Sequence, residues 1–223
     1  MTFSLIARCA ATGQFGIVIA SSSPAVAARC AHVRAGVGVV ASQNITDPSL
    51  GPIVLDQLST GKSAQDALAA VISGRKNIGY RQLLVVDMTG GRAVHSGGQV
   101  LGIWNAALGQ GCAAGGNLLA NLDVPKAMVA AFEATTGHLG DRLMTALVAG
   151  LVAGGEAGPV MSAGLKIADK LDWPLVDLRM DWCDEPIAAL QVAWQVYRPQ
   201  MAAYVQRAID PTQAPSFGVP GDL

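Results

Sequence analysis

Thr2 is the residue through which this sequence is best placed to do chemistry. A threonine at a chain terminus holds nucleophile and base in one residue: its hydroxyl attacks and its own α-amine takes the proton. Met1 precedes it, and initiator methionines are removed when the next residue is small. That removal would leave Thr2 with a free amine. The apolar alternation that follows, "TFSLIARC", predicts a strand, so the nucleophile would stand at a strand start.

Other polar residues fall where strands end. Ser21 and Ser22 close the run "IVIASS", and paired antiparallel strands would bring these hydroxyls to the chain terminus, where they can orient the amine. They also suit an ordinary polar turn. "ASQN" closes a third strand, and Gln43 and Asn44 are donors of the kind that hold an oxyanion. Asn117 is a further donor, or equally the N-cap of a helix. Arg81 opens "RQLLVVD" and Asp87 closes it, while Asp177, Arg179 and Asp181 alternate along "DLRMD" on one strand face. Either arginine can grip a substrate carboxylate; the competing reading is a buried guanidinium–carboxylate network.

The remaining chemistry is thin. The histidines are His32, His95 and His138, with no H-E-x-x-H or G-x-S-x-G pattern. "GQGCAAGGN" lacks the lysine and hydroxyl of a phosphate loop and is expected to be a tight backbone passage into a helix. Cys9, Cys30, Cys112 and Cys183 are scattered and expected to be reduced, packed thiols. The pattern calls for no metal and no cofactor.

The elements that must position these residues follow from periodicity. Strands are expected over 2–9, 17–21 and 36–43, joined by turns and a connector holding Pro24, Arg29, His32 and Arg34. Two helices follow, one started by Asp47-Pro48 and ended by Gly61, the other capped by Ser63 and running to Ile72. "RQLLVVD", "MTGG" and "RAVHS" make a hairpin. Helices are expected from Leu118 to about Thr135 and from Leu139 to Val152, then strands "MSAGLKIAD" and "PLVDLRMDW", then one helix from Pro186 to about Ile209. Strands and helices come in groups without strand–helix–strand alternation, which indicates an α+β layered fold of antiparallel sheets.

The chain has 223 residues, 51% hydrophobic and 14% charged, with a net charge of −1. That length suits one domain, expected over residues 1–210, with 211–223 as a Pro/Gly-rich tail, loose or draped over a neighbour. The near-neutral charge gives no footprint for nucleic acid or an anionic membrane surface. No apolar run reaches the ~18–20 residues of a membrane helix, and no signal-peptide pattern opens the chain, so a cytoplasmic protein is expected. The low charge, with Trp104 and Trp182 expected at the surface, points to a homodimer or larger homo-oligomer.

The blocks "TFSLIARCAATGQFGIVIAS", "RAGVGVVASQ", "YRQLLVVDMTGGRAVHSG", "GGNLLA", "AGGE" and "PLVDLRMD", in this order, resemble the DUF1028 family, from Thr2 to about Tyr197. The resemblance places the chain among the N-terminal-nucleophile (Ntn) hydrolases. It implies their four-layer αββα sandwich and amide hydrolysis by Thr2, with Ser21, Ser22 and the Gln43/Asn44 strand end around it. The opening is also similar in outline to proteasome subunits. The chain departs from the family pattern in "ASSSPAVAARC", where many relatives carry a lysine at the place of Ser22 or Ser23, and "GGEAGPVMSAG" lacks an arginine expected before its strand. Arg29 is the candidate substitute for the lysine.

The leading expectation is an amidohydrolase acting on the non-peptide C–N bond of a small metabolite, an acidic or polar one if Arg81 or Arg179 faces the pocket. The alternatives are a non-catalytic small-molecule-binding or scaffolding protein on the same fold, and an enzyme using Cys9 or Ser21 as its nucleophile.

Overall fold

The structure, a computed structural model, describes residues 1–216. In chain order the elements are β1 (Thr2–Arg8), β2 (Phe15–Ser21), α1 (Val26–Cys30), β3 (Ala31–Arg34), β4 (Gly38–Gln43), α2 (Leu50–Ser59), α3 (Ala64–Ile72), β5 (Gln82–Asp87) and β6 (Arg92–Ser96). Then come β7 (Asn105–Gly109), β8 (Cys112–Asn117), α4 (Val124–Ala134), α5 (Leu139–Val152), β9 (Ser162–Ala168), β10 (Val176–Met180), α6 (Pro186–Tyr197) and α7 (Met201–Ile209).

The strands form two antiparallel sheets, one ordered β10-β9-β2-β1-β8-β7 and one β3-β4-β5-β6. Period two divides each central strand between two apolar layers. Phe3, Leu5 and Ala7 of β1 face α4 and α5, where Met128, Phe132, Leu143 and Leu147 cover them. Ile6 of β1 and Ile17 and Ile19 of β2 face the other way, onto Val39, Ala41, Leu84 and Val86 of the second sheet. The outer face of that second sheet, with Val40, Leu83 and Val85, packs on Leu50, Val54 and Leu68 of α2 and α3. Strand β2 is therefore buried along its whole length, as its unbroken apolar run requires. Each such fully buried Leu, Ile or Phe stabilises the fold by roughly 1.5–3 kcal/mol.

Four expectations are corrected. The connector after β2 is itself ordered, as α1 and the edge strand β3. The glycine-rich passage is a central strand, β8, held between β1 and β7. Glycine scores poorly for strands in sequence, but here there is no room for a side chain: a Cβ at Gly116 would lie 2.5 Å from Leu119 Cδ2. Helix α4 starts at Val124 rather than Leu118, because Leu119 is taken up in a β-bridge with Glu156 and Pro125 then supplies the first turn. The last helix is broken at Arg198–Gln200, where Pro199 tightens the chain into a 3-10 turn before α7. Ser63 does cap α3, accepting from the Asp66 amide at 3.1 Å. Of the expected tail, Pro211–Gln213 make a 3-10 turn, and residues 217–223 lie outside the described residues. Among the described residues no helix is long and apolar enough to cross a membrane.

Candidate active site

One end of the two facing sheets collects most of the buried polar side chains. Thr2 begins β1 and is 6% exposed. Its cross-strand neighbour on β8 is Asn117. On the other side β1 pairs with β2, with Phe3 opposite Ala20, so the end of β2 comes alongside. Thr2 Oγ1 lies 3.4 Å from Ser21 Oγ. Both hydroxyls donate to the same acceptor, the Met1 carbonyl oxygen. The carbonyl attached to the Thr2 nitrogen is thus gripped by two hydroxyls.

Ser21 is held in turn. Its Oγ accepts from the Ser23 amide at 3.0 Å, which orients the hydroxyl hydrogen toward Met1. Ser162, at the start of β9 opposite Ser21, accepts from the Val26 amide at 3.3 Å and donates to the Ser23 carbonyl at 2.6 Å. It locks the turn that carries Ser22 and Ser23.

A second polar cluster bridges the sheets one layer deeper. Ser4 Oγ on β1 donates to Gln43 Oε1 at 2.8 Å, and Gln43 Nε2 donates to Gln82 Oε1 at 2.8 Å. Gln82 Oε1 also accepts from Asn117 Nδ2 at 3.3 Å, while its Nε2 donates to Ser96 Oγ at 3.1 Å and to the Gly116 carbonyl at 3.2 Å. All four amide and hydroxyl groups of the Ser4–Gln43–Gln82–Asn117 chain are buried and joined, the condition for a polar network inside a low-dielectric interior.

The candidate residues therefore separate. Thr2, Ser21 and Asn117 come together at the strand ends. Gln43 sits nearby, but its amide donor goes to Gln82. Asn44 braces a loop in a left-handed backbone (φ 57°), donating to the Tyr80 carbonyl and accepting from the Leu101 amide. Arg81 acts electrostatically on Asp47, ahead of α2. Arg179 is on the edge strand β10, three strands from β1 and so about 14 Å across the sheet. It pairs with Asp181 at 3.6 Å, and Asp177 turns instead to Lys166 at 3.0 Å; both pairs are partly exposed rather than buried. Arg29 donates to the Pro24 and Ala25 carbonyls. Cys9 follows the far end of β1, roughly 23 Å from Thr2. Cys112 is pushed up to about 11, chiefly by burial.

Glu156 is the residue that sequence reasoning passed over. It is 5% exposed, and neither carboxylate oxygen has a hydrogen-bond partner of good geometry. Burial pushes its pKa up to about 7, with the chain-terminal amine and Ser22 only partly easing the charge. It lines a cavity of about 470 Å³ together with Leu151, Gly158, Val160, Asp184 and Ile187. None of the residues lining that cavity is basic. The Met1 side chain lies against its wall, since a Cβ on Gly158 would sit 2.7 Å from Met1 Cε. The available signal was a lone acid inside the apolar, glycine-rich stretch "VAGGEAGPV".

A family model described as "Family of unknown function (DUF1028)" matches residues 2–190. The chain belongs to the DUF1028 family. A solved DUF1028 structure, protein SPO2555 from Silicibacter pomeroyi, is 30% identical over 92% of this chain and 90% of its own, with a TM-score of 0.86. Anbu, an ancestral beta-subunit from Yersinia bercovieri, overlays 91% of this chain and 97% of its own at 11% identity and a TM-score of 0.39. That likeness is too low to carry an argument. No curated protein matches this DUF1028 chain.

Proposed function

We propose that this DUF1028 protein is an amidohydrolase of the N-terminal-nucleophile type, built on their four-layer αββα sandwich, with Thr2 as nucleophile once Met1 is removed. The observation that carries this reading is the pair of hydroxyls, Thr2 and Ser21, on one carbonyl oxygen at the start of β1.

The neutral Thr2 amine takes the hydroxyl proton as Thr2 Oγ1 bonds to the amide carbon of a small-molecule substrate. Ser21 Oγ donates to the oxyanion that forms. The amine passes the proton to the leaving nitrogen, the C–N bond breaks, and an ester on Thr2 remains. Water then attacks that ester, gives its proton to the Thr2 oxygen by way of the amine, and releases the acid. Gln43 and Asn117 support the strand ends rather than the reacting atoms.

Intact mass of protein expressed untagged comes first; a loss of one methionine is expected. The Met1-free protein is then treated with a β-lactone, an electrophile that acylates activated hydroxyls. One adduct on the N-terminal peptide, absent in Thr2→Ala, is the expected result. An unlabelled Thr2, with Met1 absent and the fold intact, would sink the enzyme reading.

The second reading, a binding protein on the same fold, is favoured by a specific observation: the cations suggested for the site, Arg29 and Arg179, are engaged elsewhere. It predicts ligand binding without β-lactone labelling. The surface tryptophans Trp104 and Trp182, 41% and 61% exposed, support a homo-oligomer; sedimentation as a monomer at micromolar concentration would end that part.

A further inference from the structure

Met1 is an acyl group on Thr2, and where it lies is informative about what Thr2 would accept. Nitrogen and Oγ of one threonine close a five-membered ring on the same carbonyl carbon. The carbon carried here by Thr2 N is therefore close to where Thr2 Oγ1 would carry the acyl carbon of a substrate. In this structure that acyl group is an α-aminoacyl group with three separate recognitions. Its carbonyl oxygen accepts from Thr2 and Ser21. Its side chain lies against Gly158, on the cavity wall. Its amine acts electrostatically on Glu156.

Glu156 makes the third recognition a built feature. A carboxylate taken out of water needs a partner, and the usual solutions are a cation or several donors. Glu156 is buried with no hydrogen-bond partner of good geometry, its charge eased only in part by the chain-terminal amine and Ser22, and it lines the cavity. The chain-terminal amine is the charged group that acts on it, and the exposed acids Asp184 and Glu185 line the same cavity with no basic side chain among them, so the lining favours a positive ligand. The rest of the wall includes Leu151, Val160 and Ile187, which suits an apolar side chain.

We infer that the cavity against whose wall the Met1 side chain lies takes a small amide of an apolar α-amino acid with its amine free, the ammonium group pairing with Glu156. The inference rests on Thr2 as the acyl acceptor, and it reverses the expectation of an acidic substrate held by Arg81 or Arg179. Glu156 touches the substrate in this arrangement, whereas the bond-making atoms remain those of Thr2 and Ser21.

The test separates recognition from reaction. Protein released from a fusion with residue 2 at its N-terminus is prepared as Thr2→Ala, and methionine amide and N-acetylmethionine amide are titrated by calorimetry. The free-amine compound is expected to bind at least about tenfold more tightly, and Glu156→Gln in the same background to bring the two within about twofold. Equal binding of both compounds, binding of neither, or a preference that survives Glu156→Gln would each overturn the inference. β-Lactone labelling of Thr2 in the wild-type residue-2 protein is scored separately. Labelling without amine preference removes the substrate assignment and leaves the nucleophile; amine preference without labelling does the reverse. A circular-dichroism melt of Glu156→Gln confirms that the variant is folded before it is scored.

Discussion

Thr2 Oγ1 and Ser21 Oγ stand 3.4 Å apart, 19 residues separated in sequence, and both hydroxyls point at the Met1 carbonyl oxygen. The pairing of β1 with β2 makes this contact, and Ser23 and Ser162 hold it.

Ser21→Ala removes the donor to that oxygen while leaving Thr2 in place. A single oxyanion donor contributes about 10²–10³ in rate. The second-order rate of β-lactone labelling of Thr2 in Met1-free protein is expected to fall by about a hundredfold, with little change in melting temperature. Labelling at the wild-type rate would assign Ser21 a purely structural role.

Glu156 makes stability depend on pH with a distinctive sign. Burial raises its pKa from 4.5 to about 7, so between those values the unfolded chain has lost a proton that the folded chain keeps. The favourable neutral form is fully present below about 4.5 and lost as pH rises through about 7. The shift corresponds to about 3 kcal/mol. Urea denaturation is expected to show Glu156→Gln gaining roughly that amount on wild type between pH 4 and pH 8, and a pH-independent difference would show that the carboxylate is solvated.

Gln82 is the hub of the network between the sheets. Gln82→Leu leaves Gln43 Nε2 and Asn117 Nδ2 buried without their shared acceptor, and frees Ser96 and the Gly116 carbonyl. Each stranded group costs about 1–3 kcal/mol. A loss of about 3 kcal/mol in chemical denaturation is expected, and a neutral result would mean that water replaces the amide.

Asp87 closes β5 and accepts from the Ala64, Thr89 and Gly91 amides at 2.8–2.9 Å and from the Thr89 hydroxyl at 2.7 Å. Burial works to raise its pKa, but these bonds outweigh it and hold the carboxyl below its ordinary value. The stabilisation is therefore present above the unfolded carboxyl pKa of about 3.9 and lost as pH falls through the lower folded value. Asp87→Ala is expected to cost about 3 kcal/mol at pH 7, with the gap to wild type narrowing only in acid. A gap unchanged down to pH 2 would remove the ionised carboxylate from the account.

Much of this fold is legible locally. The alternation of "TFSLIARC" and the unbroken run of β2 reflect one and two covered faces, and Ser63 announces the start of α3 by its own hydrogen bond. The misread pieces are those whose partners are distant. Strand β8 needs its glycines because Leu84 and Leu119 close on it from its two faces, and Leu119 leaves the helical pattern to bridge Glu156.

By itself the sequence determined strands β1, β2, β4, β5, β6, β9 and β10, the position of Thr2 at the start of the first and the hydroxyls at the end of the second, because periodicity and turn chemistry act over a few residues. Only the tertiary structure decided which polar groups are engaged and which are left facing a cavity. Gln43 and Asn44 are consumed by Gln82, Tyr80 and other internal partners, Arg179 pairs with Asp181 on an edge strand, and Glu156, unremarkable in the sequence, is stripped of water beside Met1. Desolvation and pairing depend on what the rest of the chain packs around a group, so the charge of the site could be read only after folding.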